Sequence, residues 1–271
     1  MLNTHSVGLG KTAEAGASVV GPKSTPQHWL GWLSLPVGLA LLLALWAALS
    51  QLYPPFILPG PADVAARFAQ ALADGTLARH LSVTLVEALL GFSVGFLVAV
   101  ILGYGIAKQP LVERIVSPYV VASQAVPIVA LAPLLILWFG HGLASKVLVC
   151  ALVVFFPILV NTVVALRSVD PQSRELMHSL NASRWHTLTK LELPASLPIM
   201  FGGIRMGVTL CVIGAVVGEF VGADTGLGAL VNLSRGMFDT SLMFVALFTL
   251  VALAMSLYAV VILVERLVTR P

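Results

Sequence analysis

The chain has 271 residues, 58% of them hydrophobic and 10% charged, with a net charge of +3. A soluble globule carries about 25% charged residues, so an ordinary soluble domain is excluded and an all-α polytopic membrane protein is expected. Cys150 and Cys211 both lie in apolar runs and supply neither a disulfide framework nor a metal spacing. No cofactor or metal site is expected.

Residues 1–28 are polar and poor in large apolar side chains, which predicts a disordered tail ahead of one membrane domain over 29–271. The first apolar run begins near Trp29 and is long enough to span, so it does not read as a secretory signal. Gly10-Lys11-Thr12 looks like the end of a phosphate loop, but that motif needs a glycine where His5 stands and a preceding strand. Gly8, Gly10 and Ala13 fail as a dinucleotide fingerprint for the same lack of a strand. No ATP site is therefore expected in this chain.

Apolar runs fall at about 30–52, 82–107, 115–139, 145–166, 199–221 and 241–264, each sufficient for one helical crossing. With both termini inside, eleven of the fifteen Lys and Arg residues lie on the cytoplasmic side, in keeping with the excess of positive charge found there. Arg67, Arg79, Lys146 and Arg235 are then external. Between the first two spans, Val64, Phe68 and Leu72 recur at four-residue spacing before Gly75, which reads as an amphipathic helix at the external surface. Its role is that of an ordered connector or of a contact for an external partner. His80 and His141 near span ends are expected to face water or headgroups.

The second span carries Gly91, Gly95, Ala99, Gly103 and Ala107 at four-residue steps, and the fifth carries Gly203, Gly207, Cys211 and Ala215 beside Gly214, Gly218 and Gly222. Such rows let backbones approach closely where hydrocarbon supplies no drive for association. In the third span Pro118, Pro127 and Pro133, the middle one preceded by Ser123 and Gln124, free backbone carbonyls, and these together with Gln124 are candidates to face a polar cavity. Asn161 and Thr162 after Pro157 can bind a neighbouring helix or line a path. Glu219, near the end of the fifth span, is expected to face the bundle interior as a gate, a helix-pairing group or a substrate contact. Gln124, Asn161, Thr209 and Glu219 are the translocation-path candidates. Arg205 is expected to snorkel to the interface.

The longest charged interruption, over 168–198, reads as a cytoplasmic loop of two short helices. Asp170 can cap the first with Pro171 at its first position, Asn181 stands where that helix stops in a left-handed turn, and Ser183 can cap the second. The second, with Trp185 and Leu188 on one side, is expected to end before Pro194. A two-helix knob between spans suits docking to a soluble partner and passing its movement on.

Within this loop Glu175-Leu176-Met177, Leu180-Asn181-Ala182-Ser183 and Leu193-Pro194 resemble the EAA loop of permease subunits of bacterial ATP-binding cassette importers. That pattern is Glu-Ala-Ala, a Gly after a short spacer, and a closing Ile/Val-x-Leu-Pro. Leu176 and Met177 replace the alanines and Asn181 the glycine, a change that keeps the corner feasible because Asn tolerates the left-handed conformation. Trp138-Phe139-Gly140, Phe156-Pro157-Ile158-Leu159, Arg167-Ser168-Val169-Asp170 and Thr225-Gly226-Leu227-Gly228 resemble the nitrate, sulfonate and taurine branch of these permeases, over about Leu58 to Arg266.

The resemblance implies a type I importer permease fold in the bacterial inner membrane, with no catalysis of its own. It also implies a permease dimer, two cytosolic ATPases docking on the loop, an external solute-binding protein, lipid around the spans and no nucleic acid. Glu175, Leu176, Met177, Leu180, Asn181, Ala182, Ser183, Arg184 and Trp185 would form the ATPase-coupling element. The solutes associated with the branch include nitrate, bicarbonate, alkylsulfonates, aromatic carboxylates, and pyrimidine or flavin-type vitamin precursors. An ion-gradient transporter would want paired charges deep in the bilayer, whereas the sequence offers isolated ones near span ends. A non-transporting scaffold is the other alternative.

Overall fold

The computed structural model describes residues 28–269, with side chains from 36 onward. Apart from His28, the expected tail lies outside them. The chain divides into two units, Met1–Leu45 and Trp46–Pro271. The described part of the first is helical, the beginning of α1 (His28–Ser50). The second runs from the last turn of α1 through α2 (Pro61–Ala73), α3 (Thr76–Lys108), α4 (Pro110–Gln124), α5 (Ile128–Phe139), α6 (Leu143–Arg167), α7 (Pro171–Ser179), α8 (Arg184–Thr187), α9 (Leu193–Phe220), α10 (Leu227–Gly236) and α11 (Thr240–Val268).

Among the described residues four helical stretches are long and apolar enough to cross a membrane, and the α4–α5 pair, counted as one span, makes a fifth. The sixth expected span falls on α1. The third span departs from a single bent helix, because α4 and α5 meet at 91°. Pro127 explains the break: it has no N–H to donate and disfavours helical backbone in the residue before it. Gln124, the last residue of α4, sits at this bend.

The core is built around α6, which lies between two small-residue rows. On one side Gly91, Gly95 and Gly103 of α3 meet Cys150, Ala151 and Thr162 in parallel order. On the other, Gly203, Gly207, Gly214 and Gly218 of α9 meet Asn161, Ile158, Cys150 and Lys146 in antiparallel order. The approach is too close for side chains: a Cβ on Gly95 would stand 2.6 Å from the Ala151 carbonyl oxygen, and one on Gly214 2.7 Å from the Cys150 Cα. Small residues thus replace the missing hydrophobic drive with close packing. Ala107 is only half-buried, and Gly222, past the end of α9, packs on the His141 ring rather than on α6, so each row meets α6 over its middle and not at one end. Cys150 and Cys211 are both free and buried.

Three local expectations are corrected. In α2 the buried residues are Val64 and Ala71, while Phe68 and Leu72 are exposed; the inward stripe is rotated because Arg67 pairs with Asp239 at the start of α11, Nε to Oδ2 at 2.9 Å. His80 is buried rather than wetted, and its Nδ1 lies 2.7 Å from the Gly226 carbonyl oxygen and 3.1 Å from the Gly226 backbone nitrogen. The second loop helix does not end before Pro194. After α8 the backbone widens into a π-helical turn, Leu188–Glu192, in which the Leu193 N–H reaches back to the Leu188 carbonyl. The wider turn moves the carbonyl that a proline would otherwise strike, and the helix runs on, so that Arg184–Phe220 is one 37-residue rod.

Candidate functional site

The corner of the loop follows from local backbone chemistry. Asp170 accepts from the N–H groups of Gln172 and Ser173 and from the Ser173 hydroxyl, satisfying donors that the first turn of α7 leaves free. The Ser173 hydroxyl and these backbone N–H groups hold its carboxyl below the usual aspartate range. Asn181 has φ of +52°. Around it the Ala182 N–H bonds the Met177 carbonyl and the Asn181 N–H bonds the His178 carbonyl, each at 3.0 Å, the paired closure of a helix that ends in a left-handed residue. Ser183 then accepts from the His186 N–H and starts α8.

The corner faces outward. Leu176, Leu180 and Trp185 are 60%, 67% and 70% exposed, and Glu175, Asn181, Ser183 and Arg184 are also exposed, with Met177 and Ala182 half-buried. An apolar cap of this kind on a polar loop is a surface for another protein.

Behind the corner lies a knot that the sequence reading missed. Glu192 is only 1% exposed; its two oxygens accept from Lys108 Nζ at the end of α3, at 2.6 and 2.7 Å, and Arg174 Nε of α7 stands 3.4 Å away. Arg174 also donates to the Leu166 carbonyl at the end of α6. One carboxylate therefore ties the loop helix α7 to α3 and to the rod that continues as α9. On the same side Arg167 pairs with Glu113, and Arg205, expected to snorkel, pairs with Glu265 of α11 at 3.4 Å.

At the other end of the rods a second cluster is buried. Lys146 of α6 donates to Glu87 of α3 at 2.7 Å, with side chains 9% and 2% exposed. This overturns the picture of isolated charges near span ends. The signal was present: Glu87 lies four residues before Gly91, and Lys146 four before Cys150, on the rows that bring α3 and α6 together. Glu219 accepts from the Thr84 hydroxyl at 2.6 Å and the Gly228 N–H at 2.5 Å, and the Thr84 oxygen accepts from the Leu227 N–H at 2.7 Å. Glu219 and Thr84 thus satisfy the first N–H groups of α10, where a negative charge is favoured. Gly226, with φ of +123°, is packed so closely on the Glu219 carboxyl that no Cβ fits.

The path candidates are not brought together. Glu219 belongs to this capping network. Asn161 donates to its own helix at the Pro157 carbonyl, 2.8 Å away, and Thr162 to Ile158 at 2.7 Å, rather than to neighbours. Thr209 is exposed and bonds the Arg205 carbonyl. Gln124 lines a pocket of about 200 Å³ with Ser117, Glu113, Val120 and, across it, Leu159 and Val163 of α6.

Residues 91–270 match the model of the family described as binding-protein-dependent transport system inner membrane component. The chain belongs to this family. It is 52% identical over 93% of its length, and 95% of the relative's, to the riboflavin transport system permease protein RibX of Chloroflexus aurantiacus. It is 34% identical to the formylaminopyrimidine transport permease protein ThiX of Halalkalibacterium halodurans, covering 84% of this chain and 91% of that one. To the taurine transport system permease protein TauC of Escherichia coli it is 31% identical, with coverage of 83% and 86%. Its fold is similar to the inward-facing MetNI methionine ABC transporter, with a TM-score of 0.65 at 20% identity, covering 72% of this chain and 96% of that one. The protein is therefore the membrane-spanning permease subunit of an ATP-driven importer of the inner membrane, a transport component rather than an enzyme. Membership implies ATPase partners and an external binding protein.

Proposed function

We propose that this permease, as a homodimer with two cytosolic ATPases, imports a flavin-type vitamin or a related uncharged heterocycle delivered by its binding protein. The observation that carries the reading is the 52% identity to the riboflavin permease over almost the whole of both chains. The pocket at Gln124 favours a neutral solute over a sulfonate, because the charged side chain lining it is Glu113, and the nearby Arg167 is already paired with it.

The membrane domain spans 29–271 after a cytoplasmic tail, with both termini and the loop 168–198 inside. Glu175 to Trp185 dock on the ATPases. When ATP draws these together, the corner is carried inward and the rod from Arg184 to Phe220 tilts with it, opening the spans outward. Such a shift requires that ATP favour one conformation over the other. Gln124, Asn161, Thr209 and Glu219 remain the path candidates, with Gln124 the foremost because it alone of the four faces the pocket.

Uptake of labelled riboflavin by cells producing the permease with its ATPase and binding protein tests the substrate. ATP-dependent accumulation, suppressed by excess flavin and unaffected by taurine, is expected; accumulation of taurine or an alkylsulfonate with no flavin uptake would overturn the assignment.

A further inference from the structure

Two adjoining cavities flank the base of the coupling element, and their linings differ in kind. The first, about 660 Å³, is walled by Lys108 and Gln109 at the end of α3, Arg174 and His178 of α7, and Arg184 of α8. The second, about 330 Å³, is walled by Val100 and Ile101 of α3, Leu166 of α6, and Leu188, Leu193 and Met200 along the α8–α9 rod. Tyr104 lines both, and Lys108 Nζ lies 5.3 Å from its ring centroid. A basic chamber and an apolar groove therefore meet at one tyrosine, at the end of a membrane-spanning helix, where aromatic side chains settle between hydrocarbon and headgroups.

Charge in the chamber is unbalanced. Glu192 is shared between Lys108 and Arg174, which leaves one positive charge over. Arg184 is exposed and makes no ion pair among the described residues. The chamber thus carries two uncompensated cations beside a buried acid that cannot serve them both. A phosphate oxyanion answers this deficit, and basic pockets between transmembrane helices on the cytoplasmic side hold anionic headgroups. A free phosphate would leave the adjoining groove uncovered; an acyl chain fills it.

We propose that the two cavities form one site for an anionic phospholipid. Its phosphate lies among Lys108, Arg174 and Arg184, and an acyl chain lies along Ile101, Leu188 and Met200. The placement in the cytoplasmic leaflet rests on the orientation proposed above; binding of an anionic lipid does not, and neither depends on the transported solute. A lipid seated there touches α3, α7 and the α8–α9 rod together, the elements joined by Glu192, so it braces the coupling element that the ATPases move.

The full-length permease, purified in a mild non-ionic detergent, is titrated with short-chain phosphatidylglycerol, with phosphatidylcholine of the same chains and with inorganic phosphate. Bound lipid is counted by native mass spectrometry and stability read by thermal unfolding. Phosphatidylglycerol is expected to be retained and to raise Tm. Phosphatidylcholine should be released at low concentration, and phosphate alone should leave Tm unchanged. Arg184→Gln, at an exposed position, should weaken phosphatidylglycerol binding roughly fivefold without lowering the Tm of the lipid-free protein. Ile101→Ser, also exposed, should weaken lipid binding and leave any phosphate response untouched. Equal retention of the two lipids, or full phosphatidylglycerol binding by Arg184→Gln, would overturn the site. Stabilisation by inorganic phosphate equal to that by phosphatidylglycerol and insensitive to Ile101→Ser would also overturn it, because the chamber would then be a simple anion pocket.

Discussion

The two ends of the α3–α6–α9 bundle each bury a carboxylate that pairs with a lysine, yet only one of the two lysines is buried with it. At the far end Glu87 and Lys146 bond α3 to α6 directly within the packed glycine rows, while Glu219 caps α10 through Thr84. At the loop end Glu192 holds Lys108 of α3 and Arg174 of α7, whose side chains are 40% and 39% exposed. A desolvated pair locks two rods together; a half-wet one joins parts that can still turn about each other. We propose that the first end acts as a clamp and the second as a joint.

The clamp is broken most severely by removing one charge. Lys146→Met leaves Glu87 buried without a counter-charge and should cost about 3–5 kcal/mol, whereas a matched apolar replacement of both partners should recover most of it. Thermal or denaturant unfolding of the purified permease in detergent measures both. Equal losses in Lys146→Met and in Glu87→Leu/Lys146→Met would show that the pair is not what holds α3 to α6.

The joint should respond differently. Glu192→Gln removes the charge that holds Lys108 and Arg174, a loss of about 2 kcal/mol for hydrogen bonds to a charged group, and it should lower uptake far more than stability, with ATP hydrolysis continuing. A fall in uptake that only tracks the loss of folded protein would make Glu192 another clamp.

Between the two ends, Gly95→Leu and Gly207→Leu force apart backbones in contact with α6 and should each cost about 1–3 kcal/mol by overpacking. Unchanged stability and uptake would mean that α6 does not carry the contact between the ends.

What was legible in the sequence divides along the same line. The corner was readable because each of its parts depends on a residue and its immediate neighbours: Asp170 before Pro171, Asn181 at the stop, Ser183 at the restart. The glycine rows were readable because four-residue spacing is a property of one helix. Glu87–Lys146 and Glu192–Lys108 join residues 59 and 84 positions apart, and no local rule pairs them; only the continuation of each row to Glu87 and Lys146 hinted at one. The 91° break at Pro127 went further than a bend because Ala125 and Val126 also leave the helix. Pro194 misled in the other direction, since a π-helical turn absorbed what a regular helix could not.

The smallest expected effect sharpens the view of the corner as a local device. Asp170 titrates below the usual aspartate value because its charged form is hydrogen-bonded in the folded loop. Its cap is therefore fully present above the unfolded value of about 3.9 and is lost as pH falls through the lower folded value. Hydrogen exchange should show the Gln172 and Ser173 amides losing protection in that acid window while amides in the middle of α6 do not. Simultaneous loss at both places would mean that the loop is not an independent unit.

In the proposed mechanism the left-handed corner at Asn181 transmits ATP-driven movement to the rod. Gly adopts its φ freely and Asn tolerates it, but a β-branched residue resists it strongly. Uptake and ATP hydrolysis measured side by side, in membranes containing the assembled importer with Asn181→Gly or Asn181→Val, address this directly. The glycine variant should match the parent in both; the valine variant should lose uptake while hydrolysis either falls with weakened docking or runs on unstimulated by substrate. Normal substrate-stimulated hydrolysis and full uptake with valine at this position would show that the corner is not the coupling element.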